Sequence, residues 1–115
     1  MKKTTAIIVN WNDKNVIGEC IESLLNQDQP DIEIIVSDNG SQDGSTNFIR
    51  DQFPSVQIIS NNENIGFGSA VNRGFSVAKG DYLIFLNSDL ILDPKCIGAL
   101  AIFLDSNSSV GGAIP

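Results

Sequence analysis

Three short polar runs hold the residues of this sequence best suited to chemistry: Asn10-Trp11-Asn12-Asp13, Asp38-Asn39-Gly40-Ser41 and Asn87-Ser88-Asp89. Asn61, Asn62, Asn64 and Gly66 form a fourth. What they offer is mainly hard oxygen. The chain has no His, no C-x-x-C pair, no G-x-x-x-x-G-K-[ST] loop and no G-x-G-x-x-G after its first apolar run. A diphosphate bound here would meet neither a phosphate-loop lysine nor an arginine cluster. Its charge would need a divalent cation, and carboxylates such as Asp89 are the ligands such a cation prefers. Taken singly, each run is weak. Asn39-Gly40 and Asp43-Gly44 are ordinary turn formers. Asp38 reads equally well as a loop residue, and Asn87-Ser88-Asp89 as a cap on the following turn.

The elements around these runs explain why they belong together. Residues 5–10 form a β-branched apolar run, the mark of a buried strand. Val16, Ile17, Cys20, Ile21, Leu24 and Leu25 then recur at helical spacing, with Glu19 and Glu22 outside. Residues 32–37 predict a second strand and 38–44 a polar loop. Asp43 or Ser45 caps a short helix to Gln52, which Pro54 prevents from continuing. Residues 56–59 predict a third strand, 68–78 a helix stopped by Gly80, and 82–86 a fourth strand. Asp93-Pro94 opens a last helix that runs to Asp105, with Pro at its first position. Residues 111–115 read as the start of a further strand. The order is βαβαβαβα, which predicts an α/β fold: a three-layer, open, mostly parallel sheet with helices on both faces. Ligands of such sheets gather at the carboxyl ends of the strands. All the polar runs lie there, so Asp38 and Asp89 are expected to converge on one crevice.

Composition narrows the partners. At 115 residues the chain is at most one domain, spanning 1–115. Seven basic residues against 14 acidic ones give a net charge of −7, and the basic residues are scattered, which argues against nucleic acid. The apolar runs are too short to span a membrane. Lys2 and Lys3 precede too short an apolar stretch for a signal peptide. Cys20 and Cys96 read as free thiols in a reducing compartment, which places the protein in the cytoplasm.

Together the motifs resemble family-2 glycosyltransferases. The resemblance runs through Ala6-Ile-Ile-Val-Asn-Trp-Asn, Cys20-Ile-Glu-Ser-Leu-Leu-Asn-Gln and Glu33-Ile-Ile-Val-Ser-Asp-Asn-Gly-Ser-Gln-Asp-Gly-Ser. It continues in order through Asn64-Ile-Gly-Phe-Gly, Asn72-Arg-Gly and Gly80-Asp-Tyr-Leu-Ile-Phe-Leu-Asn-Ser-Asp, covering nearly the whole chain. It implies the A-type glycosyltransferase fold and an inverting transfer of sugar from a nucleotide-diphosphate donor, UDP- or dTDP-linked, to a saccharide or other acceptor. By the resemblance Val9, Asn10 and Asn12 border the base pocket, and Asp38 accepts from the imino N–H of the base. Asn64, Gly66 and Asn72 shape the pocket near base and ribose. Asn87-Ser88-Asp89 matches the D-x-D motif, whose last carboxylate contacts the Mg2+ or Mn2+ that bridges the diphosphate.

Two departures qualify the match. The first D-x-D position is Asn87, which can coordinate through its carbonyl oxygen but brings no charge. Val71 stands where many members carry Arg, so an arginine contact to the base does not carry over, and Arg73 reads as a solvated helix residue. The Asn-Gly-Ser and Asn-Ile-Gly-Phe-Gly variants are similar to a subgroup that includes rhamnosyltransferases. The family's catalytic base lies well beyond the D-x-D motif. Only Asp93 and Asp105 follow Asp89 here, as a helix cap and a helix-end residue, so the base is expected beyond Pro115 and the chain is expected to be truncated. The resemblance leaves room for peripheral membrane association of the full protein and for a homo-oligomer. The alternatives are a receiver-type signalling domain and a non-catalytic nucleotide-sugar-binding or oligomerisation module. A receiver needs paired acids after strand one and a late lysine, which this chain lacks.

Overall fold

The first strand, β1 (Thr4–Asn10), is closed to solvent on both faces: only Val9 among its seven residues is partly accessible. A strand this β-branched and this buried suits the centre of a parallel sheet, where helices cover both faces. In the computed structural model, which describes residues 3–29 and 31–106, β1 pairs in parallel with β2 (Glu33–Asp38) and with β4 (Tyr82–Asn87). β2 pairs in parallel with β3 (Gln57–Ser60), giving the order β3-β2-β1-β4. The intervening helices are α1 (Lys14–Leu25), α2 (Ser45–Gln52), α3 (Phe67–Val77) and α4 (Cys96–Ser106). The expected α/β architecture is therefore present, and among the described residues the sheet is wholly parallel.

Strand parity divides the core. Ala6, Ile8, Ile34, Val36 and Leu86 point to one face, where they join Ile17, Cys20, Ile21 and Leu24 of α1, Ile49 of α2 and Ile97 of α4. Each fully buried aliphatic chain there contributes on the order of 1.5–3 kcal/mol. The other face is covered by α3, which buries Ala70, Val71 and Gly74. A Cβ on Gly74 would lie 2.7 Å from Cγ2 of Ile7, so the missing side chain is what lets α3 close on β1. Cover thins toward β4: Leu83 and Phe85 are exposed on this face, and Phe85 meets Phe75 edge to face, 6.1 Å away between ring centroids.

Element ends shift from the sequence expectation for local reasons. Helix α1 begins at Lys14 because the carbonyl of Asp13 accepts from the N–H groups of Val16 and Ile17. Helix α4 begins at Cys96, not at Asp93-Pro94, because Asp93 Oδ1 accepts from Lys95 N and its carbonyl from Cys96 N, which makes a turn ahead of the helix. Gly44, in the left-handed region at φ 82°, is the N-cap of α2, while Asp43 caps from one residue further out. The strand expected at 111–115 lies outside the described residues.

Candidate functional site

In a parallel sheet ordered 3-2-1-4 the chain winds outward from β1 to β3, then returns to place β4 on the other side of β1. The crossovers on either side of that reversal diverge, and a crevice opens at the carboxyl ends of β1 and β4. Such a crevice is present, a cleft of about 320 Å³ lined by Val9, Trp11 and Asp13 after β1 and by Asn87, Ser88 and Asp89 after β4.

The cleft is open and oxygen-rich. Asn87 and Asp89 are exposed, whereas Ser88 is buried and its hydroxyl donates a hydrogen bond to Asp13 Oδ2, joining the two strand ends. Trp11 stands at the site with 53% of its surface exposed. Beneath lies Cys20, whose thiol donates weakly to the carbonyl of Asn87 at 3.8 Å. Burial pushes that thiol up to about 11, and the negative charge of Asp89 adds to the effect, against a small opposing contribution from the Leu90 backbone. Cys20 and Cys96 are both free thiols.

The polar residues after β2 behave differently. Asp38 is 3% exposed, and its carboxylate is engaged three times: by Asn10 Nδ2 at 2.7 Å, Ser41 Oγ at 2.7 Å and Ser41 N at 2.9 Å. Asn10 is fully buried and also donates to Ser45 Oγ at 2.9 Å. Ser45 donates in turn to Asp43 Oδ1, through its hydroxyl at 2.6 Å and its N–H at 3.0 Å, and Lys14 N donates to Asp43 Oδ2 at 2.9 Å. Slight burial pushes the Asp43 carboxyl up, but these donors outweigh it and hold the group below its usual range. Asn12 completes the knot, its N–H donating to Ser41 Oγ at 2.9 Å and its Oδ1 accepting from Gln42 N at 2.7 Å.

Asp38 is not among the residues lining this cleft, and its carboxylate takes two donors on Oδ1, from Asn10 and Ser41, and one on Oδ2, from Ser41 N. Asn10 likewise points into the knot. Of the residues expected to contact a ligand, Val9, Asn87, Ser88 and Asp89 line the cleft. Asn64 and Gly66 belong to the loop after β3, where Asn64 Oδ1 accepts from Gly66 N at 2.9 Å and the Gly66 carbonyl accepts from Asn39 Nδ2 at 3.2 Å. Asn72 is exposed on α3 and is not among the residues lining this cleft. Two cleft residues, Trp11 and Asp13, stand in the first polar run but were given no role of their own from sequence. Their signal was position, immediately after a buried central strand.

Mg2+ is commonly held through one or two carboxylates together with substrate phosphates. Asp13, Asn87, Ser88 and Asp89 suit that kind of site. Among the described residues no group of three or more acidic, His or Cys side chains forms a self-sufficient metal centre.

Comparison with known proteins agrees with the fold. The model of Glycosyl transferase family 2 matches residues 5–115. An uncharacterized glycosyltransferase of Nostoc is 32% identical over 95% of this chain and 35% of its own length. The poly(ribitol-phosphate) beta-glucosyltransferase of Bacillus spizizenii is 34% identical over 76% of this chain and 15% of its own length. Among solved structures, the mannosyltransferase PcManGT of Pyrobaculum calidifontis, in complex with GDP-Man and Mn2+, superposes with a TM-score of 0.84 at 22% identity, covering 90% of this chain and 32% of its own. Residues 1–349 of TarS of S. aureus, in complex with UDP, superpose with a TM-score of 0.83 at 22% identity, covering 98% of this chain and 38% of that one. The fold is that of the A-type glycosyltransferases. The chain spans about a third of the length of the Nostoc relative. A receiver-type domain is not favoured, since the doubly wound order of that class is 2-1-3-4-5, not the 3-2-1-4 found here.

Proposed function

Because the chain belongs to glycosyl transferase family 2, we propose that it forms the donor-binding part of an inverting glycosyltransferase. The observation that carries this reading is the cleft at the switch point, where Asp13, Asn87, Ser88 and Asp89 present oxygen donors with no arginine cluster. The ligand is the diphosphate of a nucleotide sugar, taken together with Mg2+ or Mn2+. When bound, the cation offsets the charge that accumulates on the departing nucleotide diphosphate. Asp89 and the carbonyl oxygen of Asn87 hold it, and Val9 and Trp11 provide an apolar wall and an aromatic face for the base. The buried knot of Asn10, Asp38, Ser41 and Ser45 keeps the end of β1 in place beneath that wall.

The donor is a UDP- or dTDP-sugar, and the Asn39-Gly40-Ser41 and Asn64-Ile65-Gly66 variants support a rhamnosyltransferase-like member. The acceptor is a saccharide, and a carboxylate that takes its hydroxyl proton belongs to the length that the relatives have beyond this chain. Asp93 is engaged in the turn before α4, and Asp105 accepts from the Tyr82 hydroxyl, so neither borders the cleft. The free thiols Cys20 and Cys96 support a reducing compartment, and the cytoplasm is the one this reading assigns.

Calorimetric titration of UDP and dTDP, each with Mn2+ and with chelator, tests the reading. Binding at least tenfold tighter with metal is expected. Equal affinity in both conditions would overturn it.

A further inference from the structure

We infer that Asp13 is the second carboxylate of the cation site, replacing from β1 the charge that Asn87 fails to supply from β4. The inference rests on the proposed diphosphate-and-cation reading of the cleft and adds a residue to it.

Three observations lead to Asp13. It occupies the N-cap of α1, where an Asp side chain normally accepts from the N–H groups of the first turn. Here the side chain makes no capping hydrogen bond, although its backbone carbonyl accepts from Val16 and Ile17. Instead the carboxylate turns across the sheet, where Oδ2 accepts from the Ser88 hydroxyl. It therefore lines the same cleft as Asn87 and Asp89. Giving up a helix cap of ordinary value makes sense if the carboxylate serves the cleft.

Charge gives the second half of the argument. A D-x-D pair would bring two negative charges to one strand end, and Asn87-Ser88-Asp89 brings one. With Asp13 the cleft again carries two, from two strands instead of one. Ser88 couples them, since its hydroxyl fixes Asp13 while its backbone carries Asn87 and Asp89 on either side. A neutral amide at residue 87 is then no weakness of the site.

A purely structural role for Asp13, that of holding Ser88, makes a different prediction, and a charge-exchange experiment separates the two. Mn2+ affinity is measured in the full chain with saturating UDP, by the electron paramagnetic resonance signal of free Mn2+, for wild type, Asp13→Asn, Asp89→Asn and the double variant Asp13→Asn/Asn87→Asp. Thermal melting confirms that each variant is folded. Asp13→Asn, which retains an oxygen to accept from Ser88, is expected to weaken Mn2+ binding tenfold or more. The double variant is expected to recover most of that loss, because the second charge returns at residue 87. If Asp13→Asn binds Mn2+ as wild type does while Asp89→Asn does not, the cation reading stands and the assignment of Asp13 is overturned. Failure of the double variant to recover affinity likewise reduces Asp13 to a positioning residue. If Asp89→Asn also leaves Mn2+ binding unchanged, the reading of the cleft itself fails. Should Asp13→Asn not fold, Asp13→Ser and its Asn87→Asp counterpart carry the same comparison.

Discussion

Two clusters of Asp, Asn and Ser sit at the carboxyl end of this sheet, and they do opposite things. The one between β1 and β2 is closed. Asn10, Asp38 and Ser45 are buried, and every oxygen of Asp38 has a donor from its own chain. The one between β1 and β4 is open, with Asn87 and Asp89 facing solvent and the Ser88–Asp13 hydrogen bond as its cross-link. Residue type does not distinguish them. What does is the neighbour: β2 follows β1 in the same winding sense and its loop folds back over Asn10, whereas β4 arrives after the reversal and leaves a gap. A buried carboxylate must be satisfied internally or it destabilises the fold. An exposed one at a gap keeps its lone pairs for a ligand.

Substitutions should divide along this line. The largest effect on folding is expected for Asp38→Ala, which removes the shared acceptor of the Ser41 N–H and hydroxyl and of one Asn10 Nδ2 hydrogen, leaving Asn10 its bond to Ser45. Unfolding by urea should show a loss of about 2–4 kcal/mol, and an Asp38→Ala chain as stable as wild type would erase the distinction between the clusters. Gly40→Ala probes the same closed region through the backbone. Gly40 sits at φ +76°, and a Cβ there would lie 3.0 Å from Cα of Glu63 in the loop after β3. Strain and contact together should cost roughly 1–3 kcal/mol, read as a lowered melting temperature.

The open cluster should give the mirror image. Asp89→Ala is expected to lower nucleotide affinity at least tenfold with Mn2+, about 1.4 kcal/mol. Affinity in chelator should not change, and stability should move by no more than about 0.5 kcal/mol, as for ordinary surface positions. Loss of stability without loss of metal-dependent binding would mean that Asp89 belongs with Asp38.

The smallest effect lies at the opposite ends of the strands. Glu33 accepts from the Thr5 hydroxyl at 2.7 Å and from Lys79 N at 2.8 Å. Partial burial pushes its carboxyl up, but the Lys79 N–H, the Thr5 hydroxyl and the charges of Lys3 and Lys79 outweigh it, and the net shift is downward. A carboxyl lowered in the folded state contributes stability that is complete above its unfolded value and is lost as pH falls through the folded one. Solvent screening keeps that contribution below ~1 kcal/mol. Glu33→Gln should therefore remove a small increment at pH 7 and almost nothing near pH 3, checked by melting at both.

How much of this was legible in the sequence depends on the kind of interaction. The alternation of β-branched runs with helical periodicity determined the elements, their order and the parallel sheet, because local propensity and face burial act over a few residues. The motif order from Ala6 to Asp89 pointed to the family, and strand-end position was enough to collect every cleft residue except Val9 into two of the four short runs. Which of those runs would be spent on the fold was a tertiary decision. Asp38 and Asp89 look alike in one dimension. Only the 3-2-1-4 strand order, which no single segment encodes, places one beneath its own loop and the other beside an open gap. Asp13 carries the same lesson: its type and position suggest a helix cap, but a serine 75 residues away in the chain draws its carboxylate into the cleft.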